Sequence, residues 1–154
     1  MFEGFTPTAK LVNGKAYSII SDHIGKPIQA IDDNGELVWS ADYDIYGRLK
    51  NVKGERTFIP FRQVGQIEDA ELEGLYYNRY RWYNSNTGTY ISQDPIGLAG
   101  GLNLYSYVHD SNFWVDIFGL TRGKRVEKLP KNLQRRPKWR KKTYEYLELL
   151  TKYI

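Results

Sequence analysis

The stretch PIQAIDDNGELVWSADY, Pro27 to Tyr43, decides the fold class. Ile28 and Ala30, then Leu37, Trp39, Ala41 and Tyr43, alternate with polar neighbours on either side of Asp-Asn-Gly. Successive side chains of a strand point to opposite faces, so this alternation gives each run one apolar face. Asn-Gly accepts positive φ at both central positions of a tight turn, so the two runs read as a hairpin. Upstream, KLVNGKAYSII (Lys10 to Ile20) uses the same device at Asn13-Gly14. Downstream, TFIPFRQVGQIED (Thr57 to Asp69) reads as a further strand, with Pro60 at an edge or bend. EGLYYNRYRWYNSNTGTYISQ (Glu73 to Gln93) reads as two aromatic strands around Asn84 to Gly88. About seven to nine strands are expected before residue 110.

Composition agrees. The chain has 154 residues, about one domain, with 13 Tyr, 14 Gly and 15% aromatics, a balance that favours β structure. The absence of cysteine excludes disulfides and thiolate metal sites. Two histidines, His23 and His109, are too few for a His-based metal site, and neither metal nor cofactor is expected. No apolar run approaches the roughly 20 residues of a membrane span, and the N-terminal sequence lacks a signal-peptide pattern.

The net charge of +4 conceals a split. Residues 1–120 carry 10 Lys and Arg against 15 Asp and Glu, whereas residues 121–154 carry 12 against 3. The change falls inside WVDIFGLTRGKRVEK, between Leu120 and Thr121, and reads as a domain or processing boundary. Beyond it, Pro130 and Pro137 punctuate a basic connector. Trp139, Thr143, Tyr146, Leu147, Leu150 and Ile154 then fall on one helical stripe, predicting a C-terminal α-helix over about residues 138–152.

Asp-x-x-Gly recurs at Asp22, Asp32, Asp44, Asp94 and Asp116. Asp at the first position of a turn caps the backbone and Gly suits the fourth, so each aspartate is first of all a turn residue. The aromatics Tyr76, Tyr77, Tyr80, Tyr83 and Tyr90 read as cross-strand packing before a stacking platform.

Two longer stretches carry a family resemblance. YDIYGRLKNV (Tyr43 to Val52) resembles the tyrosine-aspartate repeat of Rhs and other YD-repeat proteins, and the overlapping stretch Asp22 to Leu49 resembles the repeats just before the end of an Rhs shell. GLYYNRYRWYNSNTGTYISQDPIGLAGGLNLYSYVHDSNFWVDIFGL (Gly74 to Leu120) resembles the Rhs repeat-associated core. The resemblance implies a mainly β fold: antiparallel hairpins in a curled sheet, part of a β-cocoon that encloses a C-terminal toxin. It divides the chain into terminal repeats (1–73), core (74–120) and a basic variable tail (121–154). It also implies an aspartyl autoprotease that cuts Leu120–Thr121 and frees the passenger. Asp94 and Asp116 would be catalytic, with Pro95, Gly97, Leu98 and Gly119 as supporting motif residues. Such a pair shares a proton, and the ionised member accepts a proton from water while the protonated member donates to the scissile carbonyl.

The match departs at three points, the first being His109-Asp110-Ser111-Asn112, which lacks the proline of the family's Asn-Pro. Ile117 stands where the family has proline, and Gly88-Thr89 where it has Gly-Arg, so a basic neighbour of the pair is expected to be missing. Implied partners are the passenger itself, the remainder of the shell, and a secretion-system spike, chaperone or cognate immunity protein. The implied route runs from the bacterial cytoplasm into a target cell. Two other readings stand beside this one. The chain is a non-catalytic shell fragment, or a small basic effector gripping nucleic acid through Arg135, Arg136, Lys138, Trp139, Arg140, Lys141 and Lys142.

Overall fold

The computed structural model describes residues 1–100 and 102–120, together with the backbone strand at 124–125. Thr121, the basic cluster at 135–142 and the helix expected over about 138–152 lie outside the described residues. Strands β1 (Phe2–Glu3) and β2 (Thr6–Pro7) form a small hairpin. Strands β3 (Ala9–Val12), β4 (Lys15–Ser21), β5 (Pro27–Asp32), β6 (Leu37–Tyr43) and β7 (Leu49–Lys53) follow as an antiparallel meander in sequence order. A second antiparallel sheet contains β8 (Ile67–Glu68), β9 (Leu75–Asn78), β10 (Arg81–Asn84) and β11 (Thr89–Tyr90). Last come β12 (Trp114–Val115) and β13 (Lys124–Arg125), paired with each other. The fold is mainly β, and its sheets are open rather than closed into a barrel.

The meander forms as its alternation requires. Asn13 and Gly14 take φ of 50° and 78°, which closes the β3–β4 hairpin with two residues. Ile19, Ala30 and Trp39 are register partners across β4, β5 and β6, and all three are buried. With Ala41, Leu49 and Ile59 they make one apolar core, and Trp39 at its centre is fully enclosed. The turns at Asp22, Asp32 and Asp44 are built alike. In each, Oδ1 accepts the N–H groups two and four residues on, and the glycine N–H closes onto the aspartate carbonyl.

Three details differ from the sequence reading. Eleven described strands precede residue 110 rather than seven to nine, because several are only two residues long. Leu75 to Asn84 is not one strand but a hairpin, turned at Arg79-Tyr80 with Arg79 at φ 57°. Thr57 to Asp69 is mostly a folded loop rather than a strand. Arg62, 1% exposed, organises it by donating to the carbonyls of Ile59 and Phe61 and to the Glu68 carboxylate. Arg56 donates to the same carboxylate at 2.7 and 3.1 Å, and the Gly74 N–H at 2.8 Å. Burial opposes ionisation of Glu68, but the hydrogen bonds from Arg56 and the charge of Arg62 outweigh it and hold the carboxyl below its ordinary value.

The two large sheets meet at the Asp44–Gly47 turn. Its outward carbonyls accept side chains from the second sheet and beyond. Tyr83 and Ser111 hydroxyls donate to Tyr46 and Ile45, both at 2.6 Å, and the Tyr76 hydroxyl to Gly47 at 2.9 Å. Gly88 packs against the Tyr46 ring so closely that an added Cβ would lie 2.4 Å from it.

Candidate functional site

On β9 and β10 the alternate positions Tyr76, Asn78, Arg81 and Tyr83 are buried. Tyr76, Tyr83, Tyr90 and Tyr107 pack together as an aromatic cluster, whereas Tyr77 and Tyr80 are 39% and 53% exposed. The cluster makes a dry wall on which polar groups must find protein partners. Burial pushes the Tyr90 and Tyr107 hydroxyls far above the usual phenol range, assisted at Tyr90 by the charge of Asp116.

Arg81 lies against this wall, 2% exposed, its guanidinium carbon 3.7 Å from the centre of the Tyr90 ring. Its Nη2 stands 3.2 Å from Asp94 Oδ2 and 3.4 Å from Asp116 Oδ2. Its Nη1 donates to the Leu104 carbonyl at 3.1 Å, and its Nε to the Gly119 carbonyl at 2.5 Å. One guanidinium thus touches both aspartates, the loop after Asp94 and the segment leading to Leu120.

Asp94 is 9% exposed. Its Oδ1 accepts the Ile96 N–H at 3.1 Å, and its own N–H donates to Leu104. Asp116 is 1% exposed. Its Oδ1 accepts the N–H groups of Gly119 at 3.0 Å and Leu120 at 3.2 Å, while its Oδ2 accepts the Tyr90 hydroxyl at 3.0 Å. Asn78 Nδ2 donates to the Tyr90 hydroxyl at 2.7 Å and to the Asp116 carbonyl at 2.9 Å. Gly119 takes φ 68°, and a Cβ there would lie 2.6 Å from the Asn78 carbonyl, so only glycine fits this turn.

Asp116 is therefore a turn residue through one oxygen and a member of a charged cluster through the other. The same holds for Asp94, and it separates this pair from Asp32 and Asp44, whose turns are exposed. Pro95 and Leu98 lie on the exposed side of the Asp94 loop, and Gly97 closes its turn with φ 57°. The basic neighbour expected to be missing at Thr89 is present: Arg81 supplies it from the adjoining strand. Period-two alternation could have found it, since Arg81 shares a face with Tyr83 and an arginine buried beside tyrosines requires a carboxylate partner. No group of three or more His, Asp or Glu side chains among the described residues is arranged to hold a metal.

The family model of the Teneurin YD-shell matches residues 7–112. The chain belongs to that family. As a YD-shell chain it resembles the Rhs-type toxins. It is 39% identical over 104 residues to double-stranded DNA deaminase toxin A of Burkholderia cenocepacia, a match covering 65% of this chain and 7% of that protein. It is 46% identical over 87 residues to toxin protein Tse5 of Pseudomonas aeruginosa, covering 56% of this chain and 6% of that one. Among solved structures, TcdB2-TccC3-TEV superposes with a TM-score of 0.63 at 29% identity, over 71% of this chain and 5% of that one. The YD-shell chain thus spans under a tenth of the length of these relatives. Among the described residues, no helix is long and apolar enough to cross a membrane.

Proposed function

We propose that residues 74–120 form a self-cleaving core that closes a YD-repeat shell, cuts Leu120–Thr121 and releases whatever follows as a passenger. One observation carries this reading. Arg81 gathers two carboxylates beside the segment that ends at Leu120, and one of them, Asp116, accepts the N–H of Leu120 at 3.2 Å. That N–H belongs to the residue whose carbonyl would be attacked.

Residues 1–73 act as terminal repeats in this scheme, and residues 121–154 as the beginning of the passenger. The reaction is hydrolysis by a carboxylate pair carrying one proton. The ionised aspartate takes a proton from water as the water oxygen bonds to the Leu120 carbonyl carbon. The protonated aspartate donates to the carbonyl oxygen. Collapse returns a hydroxyl proton to the second aspartate and moves the first one's proton to the Thr121 nitrogen as the C–N bond breaks. A Leu120 carboxyl and a Thr121 amine result, and the pair ends as it began. The shell remainder and the passenger are the partners of this scheme. Its delivery route runs from the producing bacterium into a target cell through a secretion system or toxin complex.

The test is the intact mass of the expressed 154-residue chain. A fragment ending at Leu120, lost in Asp94→Asn and Asp116→Asn variants that melt as the parent does, supports the reading. A parent chain uncut at every pH from 4 to 9 favours a purely structural shell segment.

A further inference from the structure

The two aspartates are not equivalent in their surroundings, and the difference bears on which does what. Asp116 faces Arg81 on β10, Tyr90 on β11, the Tyr107 ring behind Tyr90, and Asp94 across the shared guanidinium. Four donors reach its carboxylate: Gly119 N–H, Leu120 N–H, Tyr90 hydroxyl and Arg81. Asp94 receives Ile96 N–H and Arg81. Donors to the ionised form favour that form.

The direction of the Tyr90 hydrogen is fixed by Asn78. The two Nδ2 hydrogens of that buried amide go to the Tyr90 oxygen and to the Asp116 carbonyl, so the amide cannot accept from Tyr90 through that nitrogen. The Tyr90 proton is left to point at Asp116 Oδ2. Because burial pushes the Tyr90 hydroxyl well above the usual phenol range, it remains a donor throughout ordinary pH.

We propose that the Asn78–Tyr90 chain sets the roles within the pair, holding Asp116 as the ionised member that accepts the proton from water. Tyr90 is thus a positioning residue that acts through Asp116, and Asn78 is the residue that aims it. The proposal rests on the self-cleavage described above.

The test is the pH profile of cleavage. The 154-residue chain, recovered uncut in urea, is refolded across pH 4 to 9 and the fraction cut is followed by mass. In the parent, the rising limb reports ionisation of the accepting carboxylate. Tyr90→Phe removes one donor to the ionised form, so the limb moves to higher pH by about one to two units, the size expected for one hydrogen bond to a charged group. Replacing Tyr90 with 3,5-difluorotyrosine keeps shape and burial while strengthening the donor, and moves the limb to lower pH. The opposite signs overcome any general loss of folding in the Phe variant. A limb unmoved in both variants, or a rate lowered equally at every pH, overturns the proposal and leaves Tyr90 a packing residue. A parent that is never cut defeats self-cleavage itself, so the two failures are distinct.

Discussion

Replacing Arg81 with Met tests the charged cluster most directly. Methionine approximates the length of arginine and fits beside Tyr83 and Tyr90, but it donates nothing. Two carboxylates, 9% and 1% exposed, then lose their shared cation, and the carbonyls of Leu104 and Gly119 lose a donor. Removing one partner of a buried ion pair costs about 3–5 kcal/mol, because the remaining charge is left uncompensated. In a domain of this size that lowers the melting temperature by roughly 10–20 °C. The structure also supplies an internal control. Adding Asp94→Asn and Asp116→Asn to Arg81→Met removes the uncompensated charge of the pair, so the triple variant should recover a substantial part of the loss despite carrying more substitutions. Circular dichroism melts of the parent, single and triple variants measure both effects. Cleavage read on the same samples should fall at least about 100-fold in the single variant, since Arg81 aligns the pair with the Leu120 segment. An Arg81→Met chain that melts within 2 °C of the parent and is cut at the same rate would refute the argument.

Three further expectations follow from the same packing. Glu68→Gln should destabilise by about 3–5 kcal/mol, since Arg62 keeps its carbonyl contacts but loses its buried counter-charge. Because the Glu68 carboxyl is held below its ordinary value, its contribution is present above that value and is lost as pH falls through the lowered one. The acid unfolding midpoint should therefore be at higher pH in the variant, as followed by tyrosine fluorescence between pH 2 and 6. Gly119→Ala should cost about 2–3 kcal/mol in chemical denaturation, combining a left-handed φ with contact against the Asn78 carbonyl, whereas Gly97→Ala, with φ 57° and open space around it, should cost about 1 kcal/mol.

The legible parts of this fold are those where local chemistry and global structure agree. Asn13-Gly14 and the Asp-x-x-Gly turns specify their own backbone, so the meander from Ala9 to Lys53 follows from sequence alone. The Arg79-Tyr80 turn carries no such signal. Neither residue favours positive φ, and the turn forms because the buried tyrosines on both sides must face the same cluster. The loop around Arg62 was hidden for a related reason. An arginine among Ile59, Phe61 and Val64 looks like an interruption of an apolar strand, until Glu68 six residues away is seen to neutralise it. At the candidate site, the aspartates were marked by motif, but the cation that joins them lies 13 residues before Asp94 and 35 before Asp116. No spacing rule covers that separation, and only strand pairing brings the three together.

The Asp44–Gly47 turn has a consequence for how such a protein can change over time. The Asp32 turn satisfies its own amides through its aspartate, stays exposed and leaves open space around Gly35, so a change in its sequence asks nothing new of its neighbours. The turn at Asp44 is different, because Tyr76, Tyr83 and Ser111 all draw on its carbonyls. Sequence change at the Asp32 turn is therefore tolerated far more readily than at the Asp44 turn, where the hydroxyls of the second sheet need a fixed socket.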